Sequence, residues 1–411
     1  MDFEFTEEQK GIKALIRDFA KREVDPKRMG ELADRAAAAK SVEELRDIMP
    51  WDLYEKLHDV GLRQLAVPEK YGGASAGWVT RCMGAEEAGY SGGILCRLLS
   101  MPWKFCADIA DCASPKDQEA FFPEFMADKR QFLAGGISEP EGMSDICLPY
   151  DEPGVAMRSY AERNGDDWII NGDKMFCSGG GIAQKIKIAV RTDRKGPVTK
   201  SVSEFWITPD MPGVELELNQ LIAGDITGNV QIHLDNVRVP EKNRVGKVNE
   251  QWPIIESRLA GKLIHFAGLI GLSQKLFESA RDYAKERIQG GRPIIEHPNI
   301  AALLAEADVN LRATRALFYQ VCWEYDEYQK ATGSGVVNPV GGLYCNYYYK
   351  HMAARMCEIA AEVYAGMASV KGMPVESYVR YYYGMQHGGS TPILNLMKAT
   401  HFLWVEPWPY K

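Results

Sequence analysis

The sequence predicts an α+β multidomain protein: an N-terminal helical domain, a central antiparallel β-barrel domain and a C-terminal four-helix bundle. Three observations carry that expectation. Apolar residues recur at helical spacing through the first and last thirds of the chain. The middle third breaks into short β-rich runs separated by Gly, Asn, Asp and Pro. At 411 residues and 46% hydrophobic content, the chain can bury more than one core.

The first domain is expected over residues 1–130. In "TEEQKGIKALIRDFAKREV" a cap signal at Thr6 precedes Ile12, Leu15, Ile16 and Phe19, one helical stripe. Ser41 reads as the N-cap of the next clear helix, and Pro68 with Gly72–Gly73 ends a helical stretch. The second domain is expected over 131–245. "DDWIINGDKMFCSGG", "KIKIAVRTD", "SVSEFWIT" and "VQIHLDNVRVP" read as its strands, with Asn171–Gly172 at a hairpin tip. The third is expected over 246–411. One long helix from Pro253 to Ile288 is apolar on more than one face, as in a bundle or an oligomer interface. Two more long helices follow, joined by the loop "TGSGVVNPVGG".

Composition excludes several classes. A net charge of -8 without a long Lys/Arg run argues against nucleic-acid binding. No stretch reaches the roughly 18 apolar residues of a membrane span. The start "MDFEFTEEQK" is acidic and mixed, unlike a signal peptide. Nine scattered cysteines without C-x-x-C spacing read as reduced thiols of a cytoplasmic protein, with no metal site.

Four segments then stand in order: "LAVPEKYGG", "GGISEPEGMSD", "WIINGDKMFCSGG" and "LDNVRVP". Together they resemble the FAD-dependent acyl-CoA dehydrogenase family, over nearly the whole chain. The resemblance implies a homotetramer or dimer with one FAD per subunit, held between the β-domain and the C-terminal helices. It implies an acyl-CoA thioester substrate and an electron-transfer flavoprotein or similar acceptor. By motif match, backbone groups of Ile137 and Ser138 would face the flavin ring, and Ser144 would lie near the diphosphate and the substrate. Phe176 stands where the family usually has a Trp on the ring, and Ser178 at the flavin N5 contact. The family's "E-R-x-x-F-G" segment reads "KERIQGGRP" here: Arg287 is kept for a neighbouring subunit's cofactor, Gly290 replaces the aromatic, and Arg292 is available to compensate. Gly366 would let the other subunit's backbone approach the cofactor.

The departure lies in "RYYYGMQHGGSTPILN". Anchored on Pro374, Val375, Glu376 and Arg380, the family's catalytic Glu falls on Gly389 and its flavin-contacting Thr on Thr391. The alternative base position, on the first C-terminal helix, falls on Gly261, beside Lys262, which aligns with the usual Arg and is placed at the substrate. A carboxylate is the usual acceptor of the α-proton, and both positions lack one. Glu256 and His387 are the remaining candidates. Tyr381, Tyr382 and Tyr383 read as helix packing. Arg97, in the helix that lines the family's acyl pocket, would hold an anionic acyl end. The expectation is an α,β-dehydrogenation of a cyclic, aromatic, branched or functionalised acyl-CoA. The alternatives are a desulfinase, a flavin monooxygenase or a non-catalytic flavin- or acyl-CoA-binding subunit.

Overall fold

The computed structural model describes residues 4–142, 145, 151–222 and 225–405, with backbone only at 259–261. Thr6 opens α1 (Glu7–Glu23). Its hydroxyl accepts from the Gln9 amide at 3.2 Å, and Gln9 Oε1 accepts from the Thr6 amide at 3.0 Å. This reciprocal pair satisfies donors that a helix start leaves orphaned. Then come α2 (Pro26–Ala38), α3 (Val42–Ile48), α4 (Trp51–Asp59), α5 (Trp78–Ser91), α6 (Gly93–Cys112) and α7 (Pro115–Ala127). Ser41 caps α3 as expected. Arg63 is fully buried, and its guanidinium donates to carbonyls of Phe125, Asp128, Lys129 and Gln131. The free carbonyls at the end of α7 thus solvate a charge that burial alone would penalise.

Eight strands form one sheet: β1 (Leu133–Gly136), β2 (Tyr160–Asn164), β3 (Asp167–Ser178), β4 (Lys185–Arg191), β5 (Val202–Ile207), β6 (Val214–Asn219), β7 (Asn229–Pro240) and β8 (Arg244–Val245). The order is β6-β7-β3-β2-β4-β5-β8, with β1 on β4. The expected antiparallel barrel is corrected in two respects. Among the described residues β6 and β8 do not pair with each other, so the sheet stays open. It is also mixed, because β1 enters from the helical region parallel to β4, and β2 touches β4 in parallel at Tyr160–Arg191. Helices cover the β6 side instead of a closing strand: α3 packs there, and Gln220 Nε2 donates to Ala39 O at 2.8 Å.

Asn171–Gly172 is not a hairpin tip. Both residues lie inside β3, at a register shift against β7. Gly172 has φ +127°, and a Cβ there would fall 2.6 Å from Ser159 Cα. The turn between β2 and β3 is made earlier in the chain, at Gly165–Asp166, with Gly165 at φ +63°. Local turn chemistry pointed at the Asn–Gly pair, but a bulge uses the same glycine freedom.

The C-terminal region contains α8 (Trp252–Gly261), α9 (Leu263–Glu286), the short pair β9 (Ile288–Gln289) and β10 (Arg292–Pro293), α10 (Pro298–Thr332), α11 (Val340–Tyr364), α12 (Pro374–Met385) and α13 (Pro392–Thr400). The long helix expected from Pro253 is interrupted at Lys262. α5 and α9 cross with backbones in contact: a Cβ on Gly89 would fall 1.8 Å from Gly268 O, and one on Gly271 1.9 Å from Glu86 O. A buried ionic network ties the three regions together. Asp108 of α6 pairs with Lys187 of β4 and Arg258 of α8, and Arg258 also holds Glu204 of β5, with Nη2 to Oε2 at 2.6 Å. None of the described helices is long and apolar enough to cross a membrane.

Candidate active site

The β-side of the site is built on a buried ion pair. Lys174 Nζ lies 2.7 Å from Glu139 Oε1, and the same carboxylate accepts from the Arg158 and Ser159 amides. This fixes the Ile137–Glu139 segment against β3. The Ser138 carbonyl accepts from Met175 N at 2.8 Å, and the Ile137 carbonyl faces Lys174 Nζ at 3.4 Å. What the segment can offer a ligand is therefore on its N–H side. One residue beyond Met175, at a second register shift, Phe176 has φ +56° and is 57% exposed. A strained aromatic held out of the core costs about 1–3 kcal/mol and persists where a site requires it. Ser178 ends β3, where its Oγ accepts from Asn229 Nδ2 at 3.2 Å and keeps its own hydrogen to donate. Thr391 is the N-cap of α13, its Oγ accepting from Leu394 N at 3.3 Å, and is likewise free to donate. An exposed flat ring and two hydroxyl donors fit what an isoalloxazine needs. Ser144 lies outside the described residues.

The other side of the site is cationic. After α12 the chain turns through His387–Ser390, with Gly388 N to Met385 O at 3.0 Å and Ser390 N to His387 O at 3.1 Å. Gly389 has φ +76°, a left-handed angle that favours glycine. A Cβ there would fall 2.4 Å from Lys262 Cδ and 2.6 Å from Lys262 Nζ. The position that lacks a carboxylate is thus filled by the side chain of Lys262. α11 holds the same loop from another direction: Asn346 Nδ2 donates to Gly389 O at 3.2 Å, and Lys350 Nζ contacts Gly388 O at 3.1 Å and Ser390 O at 2.5 Å. Burial, then the Lys262 charge, lowers the Lys350 pKa to about 7. Burial, then Lys262, lowers Lys104 on α6 to about 8.

His265 lies in the first turn of α9, four residues beyond Gly261 and across the break at Lys262. Neither of its ring nitrogens has a hydrogen-bond partner. Burial, then Arg97, Lys104 and Lys262, push its pKa well below the usual imidazole value, so it is neutral. Arg97 does point into this region, but it is paired: its Nη2 lies 3.6 Å from the Asp225 carboxylate, and both side chains are partly buried. Burial works against the Arg97 charge, yet Asp225 outweighs it and the pKa is raised. Part of the charge proposed for an anionic acyl end is therefore already answered within the chain.

The remaining candidates are placed as follows. Glu256 is buried on α8 and pairs with Lys398 of α13 at 2.5 Å, so its carboxylate holds two helices together. His387 is exposed in the turn. Tyr381 is partly buried beside Arg97, and desolvation of its hydroxyl pushes its pKa up to about 12. Arg287 caps the exposed end of α9, beside the Gly290–Gly291 turn, where both glycines have positive φ. The segment that lacks the family's aromatic is thus a tight two-strand turn, with exposed Arg292 in its second strand. Gly366 is exposed, with open space around its Cβ position. Sequence reasoning did not single out Lys350, Lys104 or His265. The available signal was a lone Lys in the apolar helix "LYCNYYYKHMAARMC" and a His four residues beyond Gly261. An open cleft of about 540 Å³, lined by Arg46, Glu124, Gln131 and Lys185 among others, shares no residue with this cluster.

Comparison with known proteins identifies the family behind this fold. The family model described as the acyl-CoA dehydrogenase N-terminal domain matches residues 6–129, and the one for the C-terminal domain matches 252–394. The chain is 26% identical to the short-chain specific acyl-CoA dehydrogenase of Clostridium acetobutylicum, over 92% of this chain and 93% of that one. It is 28% identical to the glutaryl-CoA dehydrogenase of Desulfococcus multivorans, over 80% of each chain. The butyryl-CoA dehydrogenase structure from Megasphaera elsdenii superposes with a TM-score of 0.83 at 21% identity, covering 98% of this chain and all of that one. With both terminal family domains matched and the helix–sheet–helix architecture present, the chain belongs to the acyl-CoA dehydrogenase family.

Proposed function

We propose that the protein is an FAD-dependent oxidoreductase that takes an α-proton and a β-hydride from an acyl-CoA whose acyl group is cyclic, aromatic, branched or functionalised. When bound, FAD supplies the hydride-accepting chemistry. Phe176 would pack on its ring, while the amides of Ile137 and Ser138 with the hydroxyls of Ser178 and Thr391 would bond its polar edge. Ser144 is assigned to the diphosphate and the substrate. Arg287 and Gly366 are assigned to a neighbouring subunit's cofactor, in a cytoplasmic dimer or tetramer that passes electrons to an electron-transfer flavoprotein or similar carrier. Arg97 and Lys262 are assigned to the acyl side.

The observation that carries the unusual-substrate reading is the loop at Gly389. A positioned base contributes about 10²- to 10⁴-fold, and the usual carboxylate is replaced there by a glycine filled in by an amine. Straight-chain acyl-CoAs are therefore expected to be poor substrates. The same observation favours a second reading, C–S cleavage of a sulfinated acyl-CoA, which needs no α-base. The test is an acyl-CoA panel with the FAD-reconstituted protein, followed anaerobically by flavin bleaching. Bleaching by a cyclic or functionalised acyl-CoA, with butyryl- and octanoyl-CoA slow, is the expected result. Brisk butyryl-CoA oxidation would overturn the substrate reading, sulfite release would select the second one, and failure to retain FAD would overturn the flavin site.

A further inference from the structure

Two amines flank the position that lacks a carboxylate. Lys262 reaches it from the break between α8 and α9, its Nζ 2.6 Å from where a Gly389 Cβ would stand. Lys350 reaches it from α11 and is 2% exposed, and it makes no ion pair with a described residue. Its recorded polar contacts are two carbonyls, those of Gly388 and Ser390. A protonated lysine has three N–H donors and no lone pair, whereas a neutral one has two donors and one lone pair. Two acceptors match the neutral amine and leave its lone pair unengaged. Among the described residues the amine has no third acceptor at hydrogen-bond distance, though the buried Asn346 Oδ1 and Ser390 Oγ of the same region are themselves without partners, and an unanswered charge in this setting is expensive. A buried lysine beside a second cationic group is a recognised way to keep an amine unprotonated and reactive.

We propose that the Lys262–Lys350 amine pair replaces the missing carboxylate as the acceptor of the substrate α-proton, with Lys262 directed at the acyl group and Lys350 holding the loop. This rests on the acyl-thioester reading above. The step balances without further reactants. The α-carbon's C–H bond breaks, an N–H bond forms on the amine pair, and the C–H electron pair stays on the α-carbon, delocalised onto the thioester oxygen. The pair's positive charge then lies beside that developing negative charge. The proton belongs to the pair and not to one nitrogen, because two interacting amines titrate as a unit.

The charged and titratable surroundings are consistent with one open site for a proton. On α9, His265 is neutral and is pressed by Arg97, Lys104 and Lys262. The α9 ring of Phe266 lies 5.7 Å from Lys350 Nζ. On α8 and α13, Glu256 and Lys398 answer each other. On α6, Lys104 adds a further amine, and His387 stands exposed in the clamped turn. Lys262 is the charge that acts on Lys350, whose pKa near 7 matches a base working at neutral pH. His265 is the weaker alternative, since three cations oppose any proton on it.

The test uses the FAD-loaded protein and acetoacetyl-CoA, whose α-carbon is acidic enough to ionise in a cationic pocket. Loss of its α-proton is followed by the enolate's own absorbance in stopped flow. Wild type is expected to form the enolate with a rate that rises through about pH 7. Lys350→Arg keeps the donors to the two carbonyls but cannot accept a proton, and should slow this step about 100-fold, as should Lys262→Gln. If Lys350→Arg retains the wild-type rate and pH profile, Lys350 is only a clamp and the proposal is overturned. A wild-type profile with its midpoint in the carboxylate range overturns it too, with no variant needed. Acetoacetyl-CoA that binds without ionising refutes the amine pair and leaves the acyl-thioester reading standing. If neither this probe nor any acyl-CoA of the panel binds, that reading falls and takes the proposal with it.

Discussion

Gly389 combines a left-handed backbone angle with a side chain already lying where its own would be. Restoring the carboxylate by Gly389→Glu would strain the backbone by about 1–3 kcal/mol and collide with Lys262. The expected outcome is a lower melting temperature and no recovery of butyryl-CoA oxidation. Recovered turnover without loss of stability would contradict this packing. Lys104 offers a second test at this scale. It makes no hydrogen bond or ion pair with a described residue, and its pKa is lowered from 10.5 to about 8. The unfolded chain therefore binds this proton more tightly than the folded one. The resulting destabilisation is full below about pH 8, shrinks as pH rises, and is gone near 10.5. Lys104→Met should raise stability by about 1–3 kcal/mol at pH 7, with the gain fading toward pH 10 in urea denaturation. A gain independent of pH would show that packing, not charge, is responsible.

At the scale of elements, ionic contacts join helices to strands beside the shared apolar core. Asp108 joins α6 to β4 and α8. Burial would raise its pKa, but Arg258 and Lys187 outweigh that and lower it. Its contribution is therefore present above the ordinary carboxylate value and is lost as pH falls through the lower folded value. Asp108→Asn leaves two cations less answered in the interior and should cost about 3–5 kcal/mol in chemical denaturation at pH 7. An unchanged midpoint would mean that the network is energetically idle. α13 depends on the Thr391 cap and on Glu256–Lys398. Glu256→Gln should weaken that attachment by about 1.5–3 kcal/mol, the worth of a charged hydrogen bond, and so speed amide exchange across 392–400 at least tenfold. Unchanged exchange there would move the anchoring of α13 to its cap and apolar contacts.

For the whole molecule, the surface carries its own signal. Ile393, Met397, Leu403, Trp404 and Val405 are exposed within a short stretch of chain, with Trp404 77% exposed. Exposed apolar residues gathered this way mark an interaction face. Arg287 and its turn project from the far end of α9, where another subunit's cofactor could reach them. The expected outcome in light scattering is a dimer or larger at micromolar concentration. Arg287→Glu should weaken FAD retention without changing that mass. A monomer with FAD bound would refute the shared site.

The sequence by itself determined the order helix–sheet–helix, because periodicity, caps such as Thr6 and Ser41, and the β-rich middle are local properties. It also led to the expectation that the usual carboxylate is absent, since by motif match its two positions fall on Gly389 and Gly261. It misread Asn171–Gly172, because a bulge and a hairpin need the same backbone freedom and only the pairing with β7 distinguishes them. The open, mixed sheet was decided by which strands meet, as was the break at Lys262 by how α8 and α9 dock. What stands in place of the missing carboxylate was the least legible. Lys262 and His265, Lys104, and Lys350 lie on three separate stretches of chain, and apart from Lys262 each alone reads as an ordinary helical residue. Only the tertiary structure brings Lys262 and Lys350 to one loop and sets Lys104 and His265 within reach of the Lys262 charge, where repulsion and burial give them properties that none has in isolation.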